Sequence, residues 1–281
     1  MEKILITSDS TTDLGPELIE KYNIVILPLS VTLCEKNYTD GVDINPDIIY
    51  AEYEKSGQLP KTAAPNLADC QDFFAKYKKE GYSVVHFALS SQMSSSFSNA
   101  RLAAEDFDDV FVVDTKNLST GGGLLVMAAA SMREKGLSAK EIAEKCTVLA
   151  DKVDASFIID NLEFLHKGGR CSAISMLGAN LLQLKPCIVV TDGKMSVGKK
   201  YRGNFQRVLG QYIAERLASP ENVEQDCVFV THAGCADNIV EDCRKKVAEI
   251  LPDANIYTTR AGCTISSHCG RNTLGVLFIK K

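Results

Sequence analysis

Ser83-Val84-Val85-His86-Phe87-Ala88 is an apolar run that passes through the polar stretch Leu89-Ser90-Ser91-Gln92-Met93-Ser94-Ser95-Ser96 into a helical pattern from Phe97 to Asp106. A second apolar run, Val110 to Val113, follows at once. Short apolar runs bounded by turn signals read as buried strands. Two strands joined through a helix of this length pair in parallel with a right-handed crossover, because a tight turn cannot connect parallel neighbours. The same alternation extends towards the N-terminal side. Ile4 to Ile6 leads into the polar turn Thr7 to Asp13, which caps a helix opening at Pro16. A strand over Ile24 to Val31 precedes a helix started by Asn45-Pro46, where the asparagine caps and the proline's missing N–H costs nothing. Helix Leu67 to Lys79 ends at Gly81. These elements predict a Rossmann-like, mainly parallel first half.

On the C-terminal side, Thr120-Gly121-Gly122-Gly123 opens an apolar helix to Glu134, and the capping box Ser138-Ala139-Lys140-Glu141 opens another to about Val153. The pattern then changes. Cys187 to Thr191 and Lys194 to Lys199 flank Asp192-Gly193, a pair suited to the positive φ values of a tight hairpin turn. Helix Phe205 to Leu217, strand Cys227 to Thr231, helix Ala236 to Ile250 and strands Ile256 to Thr258 and Gly275 to Ile279 complete a smaller mixed unit. The expected architecture is α/β in two domains: residues 1–155, Rossmann-like, and residues 156–281, mixed α/β. A length of 281 residues suits two domains of moderate size.

Composition excludes several classes. With 45% hydrophobic and 24% charged residues the chain can bury a substantial core and is not disordered. A formal net charge of -5 leaves no basic footprint for nucleic acid. No segment approaches about 18 uninterrupted apolar residues, and the apolar stretch after Met1 is too short for an export signal. Ten cysteines without a C-x-x-C pair form neither a zinc pattern nor a compact disulfide scaffold, and read as reduced and structural. Four separated histidines show no metal-ligand spacing. A cytoplasmic protein with no metal and no cofactor is expected.

Polar chemistry should gather where strands of an open α/β sheet end. The serines of Leu89 to Ser96, directly before a helix, offer hydroxyls and free N–H groups to an anionic oxygen, though one N-cap and a solvated loop would explain them equally. Thr62, in Lys61-Thr62-Ala63-Ala64-Pro65-Asn66, reads as a capping hydroxyl at a second such junction. His166-Lys167-Gly168-Gly169-Arg170 reads either as a glycine-hinged turn whose Arg170 grips an anion or as a helix C-cap carrying favourable positive charge. Lys199-Lys200-Tyr201-Arg202-Gly203 is a charge run of the kind that usually faces solvent. His232 and His268 are possible proton carriers, and lone histidines are more often structural.

In order and context these segments resemble the DegV family, whose members include the fatty-acid-binding subunits of bacterial fatty acid kinase. Ser8-Asp9-Ser10-Thr11-Thr12-Asp13-Leu14 is similar to the family's D-S-T-x-D-L start, and Lys61-Thr62-Ala63-Ala64-Pro65 to its T-S-Q-P segment. Leu89 to Phe97 resembles L-S-S-x-L-S-G-T-Y, while Gly168-Gly169-Arg170, Leu184-Lys185-Pro186, Asp192-Gly193 and Arg202-Gly203 follow in the family's order. Ser95 stands where the family has glycine, and Ala63-Ala64 where it has Ser-Gln. The resemblance implies a long-chain fatty acid such as palmitate, held between two domains. Thr62 and Ser94 would bond the carboxylate with Ser95 beside them, and His268, Arg202 and Arg170 would surround it. It further implies a non-catalytic protein that presents its lipid to a separate fatty acid kinase. No kinase or phosphate-loop signature occurs in the chain itself.

Two other readings of the residues compete. Ser94, His268 and Asp9 or another carboxylate could form the nucleophile, base and orienting group of an esterase or acyltransferase, although G-x-S-x-G is missing. Thr120-Gly121-Gly122-Gly123 could cradle a phosphate, although such glycines also serve tight helix packing.

Overall fold

In the first half, β1 (Ile4–Asp9), β2 (Ile24–Leu27), β6 (Ser83–Ala88) and β7 (Val110–Asp114) form a parallel sheet in the order β2-β1-β6-β7. The computed structural model describes residues 2–171 and 184–281. Helices α3 (Leu67–Lys79) and α4 (Ser96–Ala104) cover one face of that sheet, burying Cys70, Phe74, Ala100 and Ala103 against Val84 and Val110. Helices α5 (Thr120–Glu134) and α6 (Ala139–Leu149) cover the other, against Ile6, Val85, Phe87 and Val113.

The second sheet has six strands: β8 (Val153–Ile159), β9 (Leu184–Thr191), β10 (Lys194–Arg202), β11 (Val223–Ala233), β12 (Ile256–Arg260) and β13 (Thr273–Lys280). Their order is β10-β9-β8-β13-β11-β12, antiparallel except for the pair β11 and β12. Helices α8 (Phe205–Arg216) and α9 (Asp237–Ile250) bury one face through Val208, Tyr212, Val240 and Val247. The opposite face meets α5, so Phe229 and Leu277 share a core with Leu124 and Leu125. The apolar character of α5 follows from this position: a helix with a sheet on either side has little surface for polar residues. Its glycines serve the same packing. A Cβ on Gly121 would lie 2.2 Å from Asn117 Oδ1 and one on Gly123 2.9 Å from the Thr12 carbonyl, leaving no cradle open for a phosphate there.

The expected strand over Ile24 to Val31 is two strands. Pro28 offers no N–H to a ladder, and beyond it β3 (Ser30–Leu33) turns into a separate antiparallel sheet with β4 (Lys36–Thr39) and β5 (Lys61–Ala63). Lys61 to Ala63, expected to be a pre-helix loop, is therefore a strand. The hairpin at Asp192-Gly193 forms as expected, with φ of 49° and 77° at the two turn residues. The expected helix to about Val153 stops earlier, and Val153 begins β8, which is buried along its whole length. Such a strand carries no alternation to betray it.

The small sheet and α2 (Pro46–Ser56) pack on α7 (Glu163–Gly168) and α10 (Cys263–Cys269), joining Val31, Ile49 and Tyr50 to Phe164 and Cys263. Polar bonds reinforce this junction. Asp40, 4% exposed, accepts from the N–H groups of Cys263 and Thr264, from the Thr264 hydroxyl and from Ser10 Oγ. Asp13 accepts from Gly262 N at 2.8 Å and from Ser119 Oγ at 2.5 Å. The orphan donors at the start of α10 are thus capped by carboxylates from the other half of the molecule. Burial pushes the Asp13 carboxyl up to about 8 against those two hydrogen bonds, with the charges of Asp40 and Asp9 adding to the rise. Replacing Asp40 with alanine strands four donors, and should lower the unfolding free energy in urea by about 2–4 kcal/mol. Asp40→Asn, which retains an acceptor oxygen, should lose clearly less.

Candidate functional site

The loops leaving β6 and β7 lie at the carboxyl ends of the parallel strands, and the chain fixes the first of them closely. Asp9, at the end of β1, accepts from Leu89 N at 2.7 Å with one oxygen and from the Thr11 N–H and hydroxyl with the other. Ser90 N donates to the Asn117 carbonyl, and Ser90 Oγ donates 2.7 Å to the carbonyl of Gly193 in the β9–β10 turn. Ser91 N is bound by Asp114 Oδ1. The loop Leu89 to Ser95 is thereby bonded to both sheets. Asn99 Nδ2, on α4, donates 2.8 Å to the Pro65 carbonyl and holds the Thr62 segment alongside.

Between the two halves lies a cavity of about 310 Å³. Thr62, Ala63, Ala64, Met93, Ser94 and Ser95 line it from the first half, and Arg170, Thr264, Ile265, His268 and Cys269 from the second. Leu29, Leu89, Leu118 and Met195 extend the apolar part of the wall. Thr62 Oγ1 and His268 Nε2 stand 2.8 Å apart, 206 residues distant in sequence. His268 Nδ1 is buried without a hydrogen-bond partner among the described residues. It faces Gly168, where a Cβ would come within 2.6 Å of it, so α7 ends on glycine because a side chain there would strike the imidazole.

These contacts fix the protonation of the pair. Burial, with the nearby Arg170 guanidinium adding to it, holds the His268 imidazole down at about 4, so the ring is neutral at pH 7. A proton on Nδ1 would be a buried donor with no acceptor, so the favoured tautomer carries it on Nε2 and donates to Thr62 Oγ1. The Thr62 hydrogen is then free to donate to an anionic oxygen in the cavity. Ser94 Oγ accepts from Ser96 N at 3.2 Å and lies 3.1 Å from Ser96 Oγ, an arrangement that leaves its oxygen at the cavity wall.

The remaining predicted residues divide. Ser95 is exposed at the N-cap of α4 and makes no side-chain cap. Arg170 reaches the cavity rim, exposed, with Nη1 on the Gly168 carbonyl at 2.7 Å. Gly169, in the left-handed region at φ 69°, is the C-cap of α7, so this segment follows its helix-cap reading. Arg202 is not brought into the cluster: it closes edge strand β10 opposite Leu184, faces solvent, and neither lines the cavity nor hydrogen-bonds to any described member. His232 does not line this cavity, and its Nδ1 accepts from Cys235 N.

The geometry does not assemble a hydrolytic triad. His268 Nε2 is engaged by Thr62 rather than Ser94, and the oxygens of Asp9 are taken by Leu89 and Thr11. An imidazole held near 4 is also a weak base at neutral pH. Among the described residues no three His, Cys, Asp or Glu side chains are grouped to hold a metal ion, and no helix is long and apolar enough to cross a membrane. Burial pushes thiols such as Cys70 and Cys187 up to about 11 and Cys146 and Cys269 up to about 12, which removes the thiolate that reactivity requires.

Fold and site together define a two-domain α/β protein with a cavity of mixed polar and apolar lining where its halves meet. The chain belongs to the DegV family, described as uncharacterised proteins, which it matches over residues 3–281. A DegV domain-containing protein of Clostridium acetobutylicum is 32% identical over 283 residues, covering 100% of both chains. Among solved structures, a DegV family protein from Thermus thermophilus, described as fatty acid binding, superposes with a TM-score of 0.91 at 27% identity, over 99% of this chain and 100% of that one. A stearic-acid-binding protein from Eubacterium ventriosum gives 0.84 at 28% identity, over 100% and 99%. A Thermotoga maritima protein described as revealing a fatty acid binding function gives 0.84 at 26%, over 100% of both.

A histidine whose folded value is depressed supports the fold above its unfolded value and loses that contribution as the pH falls through the folded one. Acidification from about 6.5 to about 4 should therefore cost the empty protein the contribution of this imidazole; because the Asp13 carboxyl, raised to about 8, acts in the opposite sense in both proteins, the readout is the difference in urea midpoint, which the wild type should lose relative to His268→Gln across this range. An unchanged profile in the folded variant would contradict a buried neutral imidazole.

Proposed function

We propose that this chain encloses one long-chain fatty acid, with the carboxylate at Thr62, Ser94 and His268 and the tail in the apolar part of the cavity. The observation that carries the reading is the cavity itself, which joins the hydrogen-bonded Thr62–His268 pair and Ser94 to a wall with Leu29, Leu89, Leu118, Met195 and Ile265. A fatty acid needs that division, with few polar contacts and much apolar lining. Burying roughly 14 methylenes at about 0.8 kcal/mol each contributes on the order of 11 kcal/mol before ordering costs. Hydrogen bonds to the charged head contribute about 1.5–3 kcal/mol each. The tail sets affinity and the hydroxyls set orientation. Ser95 and Arg170, at the rim, mark the side from which the head can be reached. The fatty acid binding of similar structures supports the same ligand class.

In this reading the chain is a binding protein and not itself a catalyst. It hands its carboxylate to a separate fatty acid kinase for acyl-phosphate formation, as the resemblance to fatty-acid-binding kinase subunits suggests. The cytoplasm, where its many thiols stay reduced, is the compartment that fits this role.

Native mass spectrometry of the purified protein, followed by denaturing extraction, should release one fatty acid per chain. Thr62→Ala combined with Ser94→Ala should keep the fold and weaken retention by about tenfold or more. Full lipid occupancy in the folded double variant would sink the head-group assignment.

A further inference from the structure

On its apolar side the main cavity meets Leu118, in the loop before α5, and Ile265 and Cys269, one turn apart on α10. The same three side chains line a second cavity of about 30 Å³, and so form the partition between the two. Phe157 and Ala155 of β8, Ala233 of β11 and Leu277 of β13 wall this inner space. Most of its polar neighbours are already hydrogen-bonded within the protein. Thr231 Oγ1 lies 2.6 Å from Thr120 Oγ1, Thr273 Oγ1 donates to the Cys269 carbonyl, Ser119 Oγ donates to Asp13, and His232 Nδ1 accepts from Cys235 N. What remains is a small, largely apolar recess behind Leu118, Ile265 and Cys269, and apolar spaces of this kind accept apolar guests.

We infer that Leu118, Ile265 and Cys269 form a neck through which the end of the acyl tail passes, and that the inner cavity receives the terminal methyl group and so sets the longest saturated chain the protein accepts. The inference rests on the fatty-acid reading and adds a chain-length filter to it. Thr62, Ser94 and His268 line the main cavity while the wall of the inner one is mostly apolar, so the ligand has one orientation, methyl end inward. One methylene more or less in a closed apolar pocket changes discrimination by about 10-fold to 200-fold. Residues that line the inner cavity without touching the head therefore act on chain length alone.

The test loads the protein, emptied of lipid, with an equimolar mixture of even-numbered saturated fatty acids from decanoic to icosanoic acid, and reads bound lipids by native mass spectrometry. Ala233→Val fills the inner cavity and should move the preferred length one two-carbon step shorter, changing the ratio of neighbouring lengths about tenfold or more. Phe157→Leu enlarges it and should move the preference longer. Thermal melts identify a variant that has not folded, in which case the other decides. Folded variants that load with the wild-type distribution overturn the filter while leaving the fatty-acid reading intact. A wild-type protein that takes up no fatty acid overturns both.

Discussion

Asp40 is a buried carboxylate that accepts four hydrogen bonds, three of them from the first residues of a helix belonging to the other half of the molecule. Without it, α10 would begin with stranded donors inside the protein, a cost no seven-residue helix can carry alone. That helix brings Thr264, Ile265, His268 and Cys269 to the cavity wall. The position of the imidazole relative to Thr62 therefore depends on a contact made at the opposite end of α10, between residues more than two hundred positions apart. Asp13 and Ser119 extend the same attachment to the start of α5, the helix both sheets share.

The cavity combines a polar group with apolar surroundings by keeping the polar group neutral. An imidazolium at the position of His268 would lie among apolar walls and beside the Arg170 guanidinium, and both disfavour it. The neutral ring instead acts as a donor that orients a threonine hydroxyl. Charge then enters with the ligand. In the proposed reading a carboxylate arriving there meets donors already aligned by the fold, so little of its binding energy is lost to rearrangement.

Much of this was legible in the residues. The apolar runs of β1, β2, β6 and β7 specify a parallel sheet because helices separate them in sequence, and Asp192-Gly193 specifies its hairpin because few other pairs tolerate both φ values. Local pattern failed where the deciding interaction was distant. The short strand at Lys61 to Ala63 owes its conformation to pairing with β3, and β8 hides its period because both faces are buried. Helix α10 carries buried hydroxyls and thiols rather than an amphipathic stripe, so nothing in Cys263 to Cys269 announces it before its cap is supplied from afar. At the site, Thr62, Ser94 and His268 were named from family order, and the structure brings all three to one cavity. Arg202 was named on the same grounds, but a strand end facing solvent is what its flanking charges describe. The inner wall, with Phe157, Ala233 and Leu277, had no signal distinguishing it from ordinary core.

Strand β13 lies between β8 and β11, in the interior of the six-stranded sheet, and pairs with both along most of its length. Until Thr273–Lys280 has emerged from the ribosome, β8 and β11 have no neighbour between them, and the face on which α5 rests is incomplete. The first half can assemble its parallel sheet early from contacts close in sequence, whereas the second half must wait. During synthesis this leaves an interval in which β8, an apolar strand of seven residues, has an unpaired edge, a state that invites pairing with the wrong chain. The cavity between the halves, built on contacts that span residues 29 to 269, thus lies beside a sheet that is complete only once β13 has been made, and a partly made chain lacks the finished walls of the proposed site.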